Sequence, residues 1–189
     1  MLSDLLQDVS LFRILHQIDR DLAESCRQAR CPYCQGPLHY SSYLRKPRGG
    51  PEKIPEEYLQ RLSLCCGREG CRKRVLPPSC LFMGRRVYWQ AVILIVMTLR
   101  QSKVNGIGAN KLMQMFSIPR KTIVRWSNYF RDEFPVSKMW QRLRGRVDVS
   151  VENRDLPGSL VEHFLSNCSL AADGLVACLR FLTTGMQVL

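Results

Sequence analysis

The chain has 189 residues, of which 46% are hydrophobic, so it can form a packed core and is not a disordered tail. Its formal net charge of +12 favours an anionic partner such as nucleic acid. The positive charge lies in the middle of the chain: residues 31–86 carry eleven basic and four acidic side chains, and residues 87–145 carry ten and two. We therefore expect the middle of the chain to contact the partner.

The N-terminal sequence predicts a cytoplasmic protein, because Asp4, Gln7 and Asp8 interrupt the apolar run that a secretory signal requires. The longest apolar run, residues 87–99, is shorter than the ~20 residues of a membrane-spanning helix. We expect this run to form a buried helix. A membrane is not an expected partner. In a reducing compartment, the nine cysteines are better suited to bind metal than to form disulfides.

The first 30 residues predict an amphipathic helix with a break near Ser10, since apolar residues recur at spacings of three and four from Leu5 to Leu22. Beyond Cys31, frequent Gly and Pro predict short strands and turns, with one helical turn that starts at Pro55. Two helices, about 158–166 and 169–183, are predicted at the C-terminal end.

Two groups of cysteines predict one metal site. Cys31 and Cys34 form a Cys-x-x-Cys knuckle, and a second pair combines Cys71 with either Cys65 or Cys66. Adjacent residues of a strand face opposite sides, so one of these two binds metal and the other packs. The longer spacing slightly favours Cys65, because it resembles the ribbons at the end of bacterial topoisomerases. Four thiolates would leave no open position on a Zn²⁺ ion, which predicts one structural zinc.

The remaining candidate ligands are assigned to the surface or the core. His39 follows the first knuckle closely enough to replace a cysteine, but with enough thiols present we expect it on the surface. His16 and Cys26 lie on the predicted first helix and are left out of the site. Cys80, Cys168 and Cys178 are predicted to be small apolar fillers.

Helices are predicted over residues 86–101, 108–116 and 119–133, and residues 117–119 supply a short turn between the last two. This arrangement is typical of a helix-turn-helix. Six apolar residues are spaced to face one small core: Leu112, Met115, Phe116, Ile118, Ile123 and Trp126.

The second helix of this pair has the composition of a recognition helix, with donors for base edges near its start and cations further along. The predicted nucleic-acid-binding residues on it are Arg120, Lys121, Thr122, Arg125, Asn128, Tyr129 and Arg131. Two further basic clusters, Arg72-Lys73-Arg74 and Arg85-Arg86, are predicted to contact phosphates and position the protein on its site.

Residues 112–126, which end in Thr-Ile-Val-Arg-Trp, resemble the helix-turn-helix at the front of many bacterial transposases and resolvases. The preceding ribbon is similar to the N-terminal region of several insertion-sequence transposases, and to the short zinc-finger plus helix-turn-helix protein of the smallest insertion sequences. Residues 67–74, 77–79 and 82–88 also resemble small transposon-associated proteins. The resemblance covers residues 31–131 and implies double-stranded DNA as the partner and a bacterial mobile element as the context.

The chain departs from the transposase pattern after the helix-turn-helix, where only 58 residues remain. A transposase of the usual type needs three carboxylates that converge on two metal ions, on a domain of well over a hundred residues. We therefore predict no enzyme activity. The carboxylates in this part of the chain are interpreted as helix caps and surface charges: Asp132, Glu133, Asp148, Glu152, Asp155, Glu162 and Asp173.

The predicted fold is mainly α with a small β zinc ribbon (α+β) and a helix-turn-helix core, and the ribbon is expected to pack against the helix over residues 86–101. Four segments are predicted: an N-terminal amphipathic helix (1–30), a zinc ribbon (31–84), a helix-turn-helix domain (85–146) and a C-terminal helical extension (147–189).

The predicted function is non-catalytic DNA binding in the bacterial cytoplasm, at the nucleoid, for end recognition, targeting or repression of a mobile element. One alternative is an interaction subunit that docks onto a nuclease or ribonucleoprotein complex and contacts nucleic acid within it. Another is an inactive transposase remnant, which the apolar period of the last 40 residues argues against.

Overall fold

Helices dominate the computed structural model, which describes residues 2–102 and 106–186. The α-helices are α1 (Val9–Gln28), α2 (Gln90–Gln101), α3 (Ala109–Phe116), α4 (Arg120–Asn128), α5 (Lys138–Leu143), α6 (Gly158–Ser166) and α7 (Ala171–Gly185). Short 3-10 helices cover Asp4–Gln7, Glu56–Leu59, Arg144–Arg146 and Asn153–Asp155, and a π-helical turn covers Tyr129–Glu133. The predicted break in the first helix is confirmed, and it falls at Asp8, whose side chain caps α1 by accepting from the Ser10 N–H.

Five short strands lie between α1 and α2: β1 (Leu38–Tyr40), β2 (Tyr43–Leu44), β3 (Gln60–Arg61), β4 (Leu64–Cys66) and β5 (Arg74–Val75). They form a three-stranded antiparallel sheet in the order β1-β4-β5 and a separate β2-β3 pair. The helical turn after Pro55 is confirmed. A mixed α and β composition with a small sheet, as predicted, is therefore present.

The predicted helix over residues 86–101 is four residues too long at its start, because α2 begins at Gln90. Tyr88 and Trp89 are extended and form isolated bridges with Arg48 and Phe82. The Trp89 ring packs against Phe82, with ring centroids 5.3 Å apart. These tertiary contacts hold the segment extended despite its apolar, helix-like sequence.

Helix α2 lies at the centre of the main core, and every residue from Gln90 to Thr98 is buried. The same core contains residues from the other large helices, among them Phe12, Trp126, Leu160 and Leu179. The apolar run of the sequence is therefore a buried helix, as predicted. Within the described residues, no helix has both the length and the apolar character that crossing a membrane requires.

The cysteine end of the three-stranded sheet has its own small core, formed by Cys31, Leu38, Leu64, Cys66 and Val75. Cys26 of α1 packs against this cluster. The predicted packing against the helix over residues 86–101 is therefore found for one part of this segment: the loop at Gly49 and Gly50 lies against Val92 of α2 and Trp89 just before it, whereas the cysteine end packs on α1. A Cβ on Gly50 would lie 2.4 Å from the Trp89 indole nitrogen, so this close approach requires glycine.

A buried polar network fastens α1 to the segment that leads into α2. The Asp19 carboxylate accepts hydrogen bonds from the Ser79 hydroxyl and the Cys80 backbone N–H. The nearby buried guanidinium of Arg61 donates to the backbone carbonyls of Leu62 and Pro77. Burial raises the pKa of Asp19 to about 6, although these hydrogen bonds and the charge of Arg61 oppose the shift.

Candidate metal centre and nucleic-acid interface

Four cysteines form a compact cluster: Cys31, Cys34, Cys66 and Cys71 have sulfur atoms that all lie within 4.8 Å of one another. The sulfur atoms of Cys31 and Cys71 are 3.8 Å apart, and those of Cys34 and Cys66 are 3.5 Å apart. Zinc–sulfur bonds of about 2.3 Å in a tetrahedron place the sulfur atoms about 3.8 Å from one another. The cluster therefore has the dimensions of a four-thiolate site for one tetrahedral ion.

Two tight turns present these thiols. After α1, the Gln35 N–H donates to the Cys31 carbonyl over 2.8 Å, and Gln35 adopts a left-handed φ of 59°. After β4, the Cys71 N–H donates to the Arg68 carbonyl, and Arg72 has a φ of 45°. Antiparallel pairing of β1 with β4 brings the two turns together from positions more than thirty residues apart.

Cys66 belongs to the cluster and Cys65 does not, so the preference for Cys65 is wrong. Leu64 and Cys66 face the small core, and Cys65 between them faces the other side of β4, opposite His39 of β1. The Cys65 thiol donates to the Arg72 carbonyl over 3.4 Å instead. The alternation along the strand predicted that one of the pair would bind, but identifying which one required the register with β1.

The surroundings of the cluster favour a thiolate at Cys34 and a protonated thiol at Cys66. A hydrogen bond from the Gly36 backbone N–H lowers the pKa of Cys34 to about 7. The Arg68 N–H donates to the Cys66 sulfur over 3.4 Å and lowers the pKa of that thiol, but burial and the neighbouring thiols raise it by more, to about 12. A metal ion would have to displace the protons that remain, which makes its binding dependent on pH.

Of the other predicted non-ligands, His39 lies on the surface and two of the three predicted fillers lie in the core. His39 is exposed. Cys80 and Cys178 are fully buried, whereas Cys168 is half-buried.

Helices α3 and α4 form a hairpin through Ser117, which caps α3 in the left-handed region with a φ of 51°. Leu112, Ile118, Ile123 and Trp126 are buried, as predicted. Phe116 is partly buried and packs against the same core. Met115 is 41% exposed, so its predicted place in the core is wrong. The inward face of α3 is set by Leu112 and Phe116, which are one turn apart, and Met115 lies beside this face.

The outward face of α4 carries five exposed side chains: Arg120, Lys121, Val124, Arg125 and Asn128. Their spacing of one and two helical turns puts them on one side of the helix, opposite buried Ile123 and Trp126. Within the described residues, the side chains of Arg120, Lys121 and Arg125 make no ion pair or hydrogen bond. Val124, which is 42% exposed, is a further candidate contact that was not predicted from the sequence. It could have been recognised there as an apolar residue that does not follow the spacing of the buried positions of α4.

Three of the predicted DNA-contacting residues are half-buried or make contacts within the protein. Thr122 and Tyr129 are half-buried. Burial raises the pKa of Tyr129, and the guanidinium of Arg86 lies 4.0 Å above its ring centroid. Arg131 pairs with Asp132 over 2.8 Å and also donates to the Asn128 side chain.

The two basic clusters lie in different places. Arg85 and Arg86 line a groove together with Arg125 and Tyr129, so the structure brings this cluster to the end of α4. Arg72, Lys73 and Arg74 are exposed on the three-stranded sheet and the turn before it. The Lys73 ammonium lies 4.3 Å from the ring centroid of Tyr33, next to the first knuckle.

Comparison with protein-family models, curated proteins and solved structures found no match to this chain. The geometry of the two candidate sites is therefore the basis for assigning a function.

Proposed function

We propose that the chain is a non-catalytic DNA-binding protein of a bacterial mobile element, in which a zinc ribbon and a helix-turn-helix bind one duplex. The proposal depends chiefly on one observation: the outward face of α4 presents three cations, an amide and a small apolar side chain. Among the described residues, these three cations have no hydrogen-bond or ion-pair partner. We infer that α4 is the recognition helix of the α3–α4 hairpin and enters the major groove.

Each side chain on this face suits a feature of duplex DNA. Arg120 and Lys121, in the first turn of α4, can donate to guanine edges, and Asn128 can form the paired hydrogen bonds that adenine offers. Val124 lies between them and can contact a thymine methyl group. Arg125, together with the adjoining Arg85 and Arg86, would hold phosphates of the flanking backbone.

The four-cysteine cluster fits a structural Zn²⁺, because four thiolates complete a tetrahedral shell and leave no position for a substrate. The ion would fix the two knuckles and present Arg72, Lys73 and Arg74 to the DNA backbone. Local pairing of carboxylates, such as Asp132 with Arg131 and Glu152 with Arg154, supports their interpretation as surface charges. This pairing favours a binding protein over a nuclease.

Fluorescence anisotropy with a pool of labelled random duplexes tests the proposal. The double variant Lys121→Ala/Arg125→Ala is compared with Arg13→Ala/Arg20→Ala, which removes the same charge from exposed positions of α1. Loss of two phosphate or base contacts should weaken binding by about tenfold or more and reduce the slope of log affinity against log salt by about 2. Equal effects of the two double variants would reject α4 as the interface.

A second candidate function is that of an interaction subunit, and an apolar groove beside the metal site favours it. A groove of about 490 Å³ is lined by Leu22 and Cys26 of α1, by Ala29 at its C-terminal cap, and by Pro32 and Pro78. An apolar side chain from a partner could bury itself there. Weak, sequence-independent affinity for naked duplex, restored by a partner complex, would favour this candidate over direct recognition.

A further inference from the structure

A second concave surface, here called the α5 cleft, lies beside the end of α4. It is bounded by residues 76–84, Tyr129 and α5, and it has a volume of about 360 Å³. This volume is within the range of about 300–1,000 Å³ that is typical of small-ligand sites. Among the described residues that line it, none is acidic, and four are basic: Arg61, Arg86, Lys138 and Arg142.

These four cations have different tasks. Arg61 is buried, and its guanidinium is used by the Leu62 and Pro77 carbonyls. Arg142 makes one long hydrogen bond of 3.4 Å to the Gly185 carbonyl, so most of its donors remain available. Lys138 is exposed and has no ion pair among the described residues. The cleft therefore keeps uncompensated positive charge at its rim, which is complementary to an anion.

The walls of the α5 cleft are apolar, whereas its rim is charged. Met83, Met139 and Pro78 line it, and the Arg86 guanidinium lies 4.0 Å from the centroid of the Tyr129 ring at its edge. Guanidinium groups and aromatic rings are both surfaces on which a nucleobase can stack. A double helix keeps its base faces inside its stack, whereas a single strand offers base faces and phosphates together.

We propose that the α5 cleft binds unpaired single-stranded DNA, with a base against the Arg86–Tyr129 pair and Met139, and the phosphates on Lys138 and Arg142. Arg86 and Tyr129 also line the neighbouring groove that contains Arg85 and Arg125. A strand that separates from a duplex on α4 would therefore reach the cleft along this groove, which carries three arginines and the acidic Glu133. The path from a duplex on α4 to the cleft rests on the proposed function, whereas the binding of single strands to the cleft does not.

The test measures binding of a labelled ten-nucleotide oligothymidine to the full chain at low salt. Lys138→Ala removes a phosphate contact and Met139→Ala removes part of the base-stacking wall. Each should weaken binding by about fivefold or more. Lys53→Ala, at another exposed lysine, is the matched control and should bind like the wild type. Melting temperatures of all variants verify that the fold is kept.

A second probe, an abasic oligomer of the same length and charge, isolates the contribution of the base. It should bind at least about fivefold more weakly than oligothymidine. Equal affinity of the two oligomers, or displacement of oligothymidine by a polyglutamate peptide at the same concentration, would overturn the proposal, since charge alone would then explain binding.

The same measurements separate this proposal from the duplex interface. Arg120→Ala/Lys121→Ala, at two positions that line neither the α5 cleft nor the neighbouring groove, should abolish most duplex binding and leave oligothymidine binding nearly unchanged. Duplex binding without oligothymidine binding would overturn the α5 cleft and leave the proposed function intact. Oligothymidine binding that depends on Lys138, without any duplex binding, would overturn the proposed function and leave the α5 cleft proposal intact.

Discussion

The choice between two adjacent cysteines gives a sharp prediction about the metal. Cys66→Ser should lose most of its bound zinc, while Cys65→Ser should keep one ion per chain. The Cys66 sulfur lies 3.5 Å from that of Cys34 inside the cluster, whereas Cys65 faces the other side of β4. Changes outside the ligand shell typically cost about 10–100-fold in metal affinity, so loss of a direct ligand should cost more than about 100-fold.

The structure also gives the expected size of the structural consequence. Three aliphatic side chains, Leu38, Leu64 and Val75, are buried in the small core of the sheet. At about 1.5–3 kcal/mol each, they contribute about 5–9 kcal/mol. Structural zinc in small domains contributes about 10–16 kcal/mol, which is the larger amount. The three-stranded sheet should therefore open locally when the ion is lost, while the helical core remains folded.

Metal content by mass spectrometry and competition with a coloured chelator measure the first effect, and limited proteolysis between β1 and β5 measures the second. Cys66→Ser should release zinc at low chelator concentration and be cut in this region, and Cys65→Ser should behave like the wild type. Zinc loss in Cys65→Ser with retention in Cys66→Ser would refute the assignment of the fourth ligand.

Two further predictions concern stability. Burial raises the pKa of Asp19 from 3.8 to about 6, so the folded chain favours its protonated form; the resulting stabilisation is complete below about pH 4 and is lost as the pH rises through 6. Urea unfolding of the wild type against Asp19→Asn should show a relative gain of up to about 3 kcal/mol between pH 7 and pH 4, and a constant difference would contradict the shift. Ser117 has a left-handed φ of 51°, so Ser117→Gly should raise the melting temperature by about 2 °C, whereas the control Ser127→Gly inside α4 should lower it.

Local patterns in the sequence were sufficient to predict most of the helices. The apolar period of α1 and the Pro55 turn were enough to place both elements, since each depends on neighbours within a few residues. The end of α2 at Gln101 was also predicted correctly, but its start was not. Extension of Tyr88 and Trp89 depends on contacts with Arg48 and Phe82, which a local pattern does not reveal.

The candidate sites show the same division. Spacing alone predicted the cluster of cysteines, because metal-binding knuckles are local turns, but choosing Cys66 required the pairing of β1 with β4. The polar residue Asp19 was not expected to be buried, since its partners Ser79 and Cys80 are sixty residues away. The ion pair between Arg131 and Asp132 likewise could not be predicted from composition.

The proposed role of α4 is the recognition of bases in duplex DNA. Its most direct test is selection of bound sequences from a random duplex pool, followed by sequencing, with the wild type and with Val124→Ala and Asn128→Ala. We expect one enriched motif for the wild type and relaxed preference at a different position for each variant, at about 1–3 kcal/mol for the amide contact. Absence of an enriched motif, or a motif that neither substitution changes, would contradict recognition by α4.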